Sequence, residues 1–65
     1  MPIDIHDAAK RGNVGAITDY IREGGDLYVQ DKHGNPPLHV AAHHGREASV
    51  AALLGAGVDP AALNG

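Results

Sequence analysis

The sequence predicts an all-α protein built from stacked helix–turn–helix units, and three observations predict it. Apolar residues recur at i, i+3 and i+4 in two short runs, Leu38, Ala41, Ala42 and then Val50, Leu53, Leu54, a spacing that lines one face of a helix. Glycines end those runs, Gly45 after the first and Gly55 and Gly57 after the second, as a left-handed residue stops a helix. The whole pattern also occurs twice. Sliding the chain by 33 residues brings Ile5 onto Leu38, His6 onto His39, Ala8 and Ala9 onto Ala41 and Ala42, and Gly12 onto Gly45. The match continues with Ile17 on Val50, Tyr20 on Leu53, Ile21 on Leu54, Gly24 on Gly57 and Asp26 on Asp59. Because the matches fall on core positions and helix breaks, the period is structural.

In chain order, Met1 to Ile3 is a frayed lead-in. Asp4 then caps a first helix, expected at about 4–11, with Asp7 early and Lys10 and Arg11 late, the order that the helix dipole favours. After Gly12-Asn13 a second helix, about 14–23, carries Val14, Ile17, Tyr20 and Ile21 on one side and ends at Gly24-Gly25. The stretch Leu27-Tyr28-Val29-Gln30 reads as extended, and Asp31-Lys32-His33-Gly34 as a turn whose glycine takes positive φ. Pro37 suits the first position of a third helix, about 37–44. A fourth helix, about 47–55, carries Ser49, Ala51 and Ala52 besides its core residues and has few charges. The expected core is Leu38, Ala41, Ala42, Val50, Leu53 and Leu54, with Ile5, Ala8, Ala9, Ile17, Tyr20 and Ile21 as counterparts. The alanines let a neighbouring helix approach closely, so leucine at 42 is expected to overpack. At the end, Asp59-Pro60 fits either a short helical turn or an extended strand.

The 33-residue period and the run Asp31-x-x-Gly34-x-x-Pro37-Leu38-His39-x-Ala41-Ala42-x-x-Gly45, followed by Leu53-Leu54-x-x-Gly57-x-Asp59, resemble the ankyrin repeat family over nearly the whole chain. The resemblance implies a first repeat at about 1–30 and a second at about 31–63, with a third beginning at 64–65. Asp7 in place of Val40 gives the first copy the look of an N-terminal capping repeat. It also implies a hairpin-like finger between the helix pairs and a structural role for His39. The family's threonine-proline-leucine-histidine tetrapeptide reads Pro36-Pro37-Leu38-His39 here, so the hydroxyl that would bond the histidine is missing. Ile3 holds that place in the first copy.

Sixty-five residues make one small domain, of a size whose core rarely supplies more than about 3–5 kcal/mol. With no cysteine, phenylalanine or tryptophan, neither disulfides nor large aromatics reinforce it. Two repeats are marginal alone, which points to a longer stack or a completing partner. A net charge of −3 argues against nucleic-acid binding driven by overall charge. No membrane span or signal peptide is apparent, and the lack of cysteine is compatible with the cytoplasm.

Chemistry has few candidates. His39 and His43 stand four apart, a spacing that can share a metal, and His33 is on the adjacent turn, but no third ligand has a firm spacing. Ser49 and Thr18 lack a nucleophile's context, and the glycines form no phosphate-binding fingerprint. No enzyme activity, cofactor or metal is expected. In ankyrin repeats, partners meet the finger tips and the exposed side of each first helix. Carried over by register, that resemblance implies partner-binding roles for Lys10 and Arg11 in the first copy, and for Lys32, His33, Asn35, His43 and His44 in the second, with Gln30 at the finger base. Every ionisable group in that set is basic or becomes so, while the eight carboxylates are expected to lie elsewhere, a segregation of charge on a chain of net charge −3. The expectation is a non-enzymatic protein–protein interaction module for an acidic partner. Two alternatives stay open: self-assembly through an apolar C-terminal strip of Val50, Ala51, Ala52 and Leu53, and metal or pH sensing by the histidines.

Overall fold

The structure, a computed structural model, describes residues 3–59. Four helices make up the regular structure of that range: α1 Ile5–Arg11, α2 Val14–Arg22, α3 Pro37–His43 and α4 Glu47–Gly55. Each agrees with its expected span to within a residue. The start of a third repeat at 64–65, and the end of the segment from Asp59 on, lie outside the described residues. No described helix is long and apolar enough to cross a membrane.

Local chemistry sets the ends. The Asp4 carboxylate accepts the N–H groups of His6 and Asp7, and Asn13 Oδ1 accepts that of Ala16, each satisfying donors that a helix start leaves open. Neither α3 nor α4 has a side-chain cap; α3 instead starts on Pro37, which lacks the N–H. All four helices stop in the same way. Gly12 N–H donates to Ala9 O and Asn13 N–H to Ala8 O, and the same pair of bonds recurs at Gly24-Gly25, Gly45-Arg46 and Gly57-Val58. This is the Schellman motif, and each of its first glycines has positive φ, between 66° and 96°. Gly55 is the last residue of α4, as expected, and the left-handed stop falls on Gly57.

The helices form two antiparallel pairs, with α1 against α3 and α2 against α4. Ile5, Ala8, Ala9, Ile17, Leu38, Val40, Ala41, Leu53 and Val58 make the buried core, with Tyr20, Ile21 and Val50 half-buried against it. Two expected core residues are corrected: Ala42 and Leu54 are exposed, Leu54 by 40%. Their first-repeat equivalents, Ala9 and Ile21, are covered because the second helix pair packs over them. Among the described residues nothing packs over Ala42 and Leu54 in that manner. The apolar strip is therefore Ala42, Val50, Ala51 and Leu54, while Leu53, assigned to it from sequence, is fully buried.

Two further positions depart from the sequence reading. Leu27 and Tyr28 form a turn and not an extended strand, because Asp26 Oδ1 accepts the Tyr28 N–H at 2.8 Å. Ser49 is fully buried, and its hydroxyl has no hydrogen-bond partner among the described residues.

The two repeats also exchange volume at one point. Tyr20 lies over the backbone of Gly25, where an added Cβ would sit 2.4 Å from the ring, and its hydroxyl donates to Asp26 O at 2.7 Å. In the second repeat the same two positions are Leu53 and Val58, both buried. A large residue with a glycine thus replaces two medium ones.

Candidate functional site

The finger is built around Asp31. Its N–H donates to Asn35 O and its carbonyl accepts from Gly34 N–H, both at 3.0 Å. Its carboxylate accepts the N–H of His33 at 2.8 Å and of Asn35 at 3.0 Å. These bonds, the Asn35 N–H chiefly, hold the Asp31 carboxyl below its ordinary value of 3.8. The tip closes on Gly34, whose φ of +80° satisfies the expected turn. Lys32 and His33 are thereby exposed at a tip fixed by four hydrogen bonds.

A groove of about 560 Å³ runs between this finger and the exposed sides of α1 and α3. Six of the residues singled out by register line it: Lys10, Lys32, His33, Asn35, His43 and His44. Arg11 and Gln30 are not among its lining residues. Arg11 is exposed and turned onto Asp7 in an ion pair at 3.0 Å, as residues four apart on a helix allow.

Sequence reasoning missed six other lining residues: Asp4, His6, Asp7, Asp31, His39 and Val40. The idea that carboxylates keep away from this face is corrected, since three of them border it. Each is held by its surroundings: Asp4 caps α1, Asp7 pairs with Arg11, and Asp31 closes the finger. Lys10 and Lys32 enter no ion pair among the described residues. With the imidazoles neutral, two lysines stand against three carboxylates. With the imidazoles of His6, His33, His39, His43 and His44 charged, the groove becomes cationic.

The histidines are arranged as a row. The rings of His39 and His43 stack at 6.3 Å and 6° between planes, and His44 meets His43 edge-on at 5.1 Å. His44 Nδ1 donates to Val40 O at 3.0 Å, and His6 Nε2 donates to Val29 O at 2.7 Å, which ties α1 to the segment before the finger. Parallel rings turn their faces to each other, so their nitrogens do not converge on a common point. Among the described residues no three His, Cys, Asp or Glu side chains are placed to share a metal ion.

The family model for the ankyrin repeat matches residues 33–65. The chain is 43% identical over 56 residues to calmodulin-binding transcription activator 6 of Arabidopsis thaliana, a match covering 86% of this chain and 7% of that protein. It is equally similar, 43% over 56 residues, to the calmodulin-binding transcription activator CBT of Oryza sativa subsp. japonica, covering 86% and 6%. With poly [ADP-ribose] polymerase tankyrase of Caenorhabditis elegans it shares 34% over 55 residues, covering 85% and 2%. The chain thus spans less than about a tenth of each relative's length. No solved structure matches it. Half of the chain fits the repeat model, and both copies of the 33-residue unit fold as the same helix pair with the same glycine stops; the chain belongs to the ankyrin repeat family, whose repeats are generally non-enzymatic and mediate protein–protein interaction.

Proposed function

We propose that this chain binds an acidic segment of a partner protein in the groove between its finger and the α1–α3 face, and that binding tightens as the histidine row gains protons. The observation that carries the reading is the groove itself, which gathers Lys10, Lys32, His33, Asn35, His43 and His44 around one cleft. Its three carboxylates already serve a cap, an ion pair and a turn, whereas both lysines have their ammonium groups available. Histidine is the side chain whose charge changes between about pH 5 and 8. An acidic ligand therefore meets a nearly balanced surface while the imidazoles are neutral and a cationic one once they carry protons.

The test uses a fluorescein-labelled peptide rich in Glu and Asp, read by fluorescence anisotropy. The expected result is tighter binding at pH 5.5 than at pH 7.5 and at lower salt, because exposed charges are screened over roughly 10 Å at 0.1 M. Lys32→Ala with Lys10→Gln is expected to weaken it at least about tenfold with little change in melting temperature, since Lys32 is exposed at the finger tip and glutamine keeps α1 free of an acidic charge in its last turn. Arg11→Glu alone is expected to have the smaller effect, because Arg11 is engaged by Asp7. Affinity indifferent to pH, salt and the lysine pair would remove the acidic-partner reading.

A further inference from the structure

We infer that the group taken up by the groove between the finger and the α1–α3 face is a phosphomonoester, carried by a phosphoserine or phosphothreonine of the partner segment, an inference that rests on the acidic-partner reading and names its chemistry. The kind of donor in the groove favours this group over a carboxylate. A planar carboxylate is best met by the fork of a guanidinium, whereas lysine acts as a point charge that suits phosphate. Among the described residues no arginine lines the groove. Arg11 is turned onto Asp7 at 3.0 Å, and Arg46 crosses Gly12 to donate to the Lys10 carbonyl at 2.8 Å. Single-point donors remain on three sides: Lys10 on α1, Lys32 and His33 on the finger, His43 and His44 on α3. The three oxygens of a phosphomonoester accept from that many directions.

The spacing of the imidazoles points the same way. His39 and His43 lie one helical turn apart with their rings stacked at 6.3 Å, and His44 meets His43 at 5.1 Å. Protonating neighbours at that spacing sets like charges against each other, which destabilises a helix. One phosphomonoester carries about two negative charges above about pH 6 and offsets two such cations at once. Glutamate or aspartate side chains bring one charge each, and each must be ordered separately.

The charges bordering the groove place the phosphate on its α3 side. On α1, Asp4 and Asp7 stand with Lys10, and His6 is held by Val29 O at 2.7 Å. On the finger, Asp31 stands with Lys32 and His33. The α3 helix brings three imidazoles and no carboxylate. Falling pH adds charge to imidazoles and removes the second charge of the phosphate, so the advantage over a carboxylate is larger above about pH 6 and narrows below it.

The test compares three fluorescein-labelled peptides of one acidic sequence, with serine, glutamate or phosphoserine at the central position, by fluorescence anisotropy. At about pH 6.5 phosphoserine is expected to bind at least about tenfold more tightly than glutamate, the worth of one further charge-assisted hydrogen bond. The ratio is expected to shrink at about pH 5, where the monoester has lost most of its second charge. His43 is exposed, and His43→Gln is expected to reduce the ratio to about threefold or less with little change in melting temperature, since glutamine is a good helix former. Equal binding of the phosphoserine and glutamate peptides would overturn the inference and leave the acidic-partner reading standing; binding of neither would remove both. A ratio undiminished in His43→Gln would overturn the placement on α3. Displacement of the phosphopeptide by inorganic phosphate at a concentration near the peptide's own Kd, or tighter binding to vesicles containing phosphatidic acid, would overturn the assignment to a phosphorylated protein segment.

Discussion

Ala9 and Ala42 occupy the same position in the two repeats, yet one is fully enclosed and the other faces outward. Replacing each in turn by leucine adds the same three carbons to the same turn of the same kind of helix. Helix propensity barely changes, since leucine ranks next to alanine. At Ala9 the added atoms must enter the contact between the two helix pairs, where overpacking costs about 1–3 kcal/mol. At Ala42 they enter open space, and the change is expected to stay within about 0.5 kcal/mol. A chain this small has only about 3–5 kcal/mol from its core, so the Ala9→Leu loss is a large share of the total. With a urea dependence of about 1 kcal/mol/M, as for the smallest domains, its midpoint falls by roughly 1–3 M while that of Ala42→Leu hardly moves. Equal shifts for the two variants would refute the assignment of Ala9 to the internal contact and Ala42 to the outer face.

Gly25→Ala is expected to cost about 2 kcal/mol in a thermal melt, because its Cβ displaces the Tyr20 ring and with it the bond to Asp26 O. The paired change Tyr20→Leu with Gly25→Val, which copies Leu53 and Val58, is expected to recover part of that loss. Ser49→Ala, which removes a buried hydroxyl without a described partner, is expected to be neutral or to raise stability by up to about 1 kcal/mol in urea. The Asp31 carboxyl is held below its ordinary value in the folded state, so its support of the finger is complete above that value and is lost as pH falls through the lowered one. The protection of the His33 and Asn35 amides, measured as exchange relative to that of an unstructured peptide at the same pH, is expected to fall in that acid range, and Asp31→Ala to lack it already at neutral pH.

Most of the helical framework was legible because it is written in local chemistry. Asp4, Pro37 and the glycines at 12, 24, 45 and 57 each specify a helix end by what their own backbone or side chain can do. What sequence could not supply is whether a given face has a neighbour. Periodicity treats Ala42 and Leu54 as equals of Ala9 and Ile21, but burial depends on a second helix pair that only the first repeat possesses among the described residues. Val40 shows the converse: it is absent from the expected core, its first-repeat counterpart being Asp7, yet it is 7% exposed. Val58 lies after the last glycine stop and carries no helical period, and it is buried by the Schellman geometry that folds it back toward Leu53.

The site was legible in the same uneven way. Register placed Lys32, His33 and Asn35 on a finger and His43 and His44 on the face beside it, because the repeat fixes those positions. It did not reveal Asp31 as the residue that orders the tip, although an aspartate two residues before His33 and four before Asn35 is the signal of such a turn. Nor did it reveal that Asp7 holds Arg11, a pair readable from the four-residue spacing alone.

The central claim is that partners meet the finger and the α1–α3 face, and the most direct test is amide chemical-shift mapping with the acidic peptide at pH 5.5. The shifts are expected to cluster at Lys10, Lys32, His33, Asn35, His43 and His44 and to spare Ala51 and Leu54 on the exposed side of α4. Shifts centred on α2 and α4, or spread without a cluster, would contradict it.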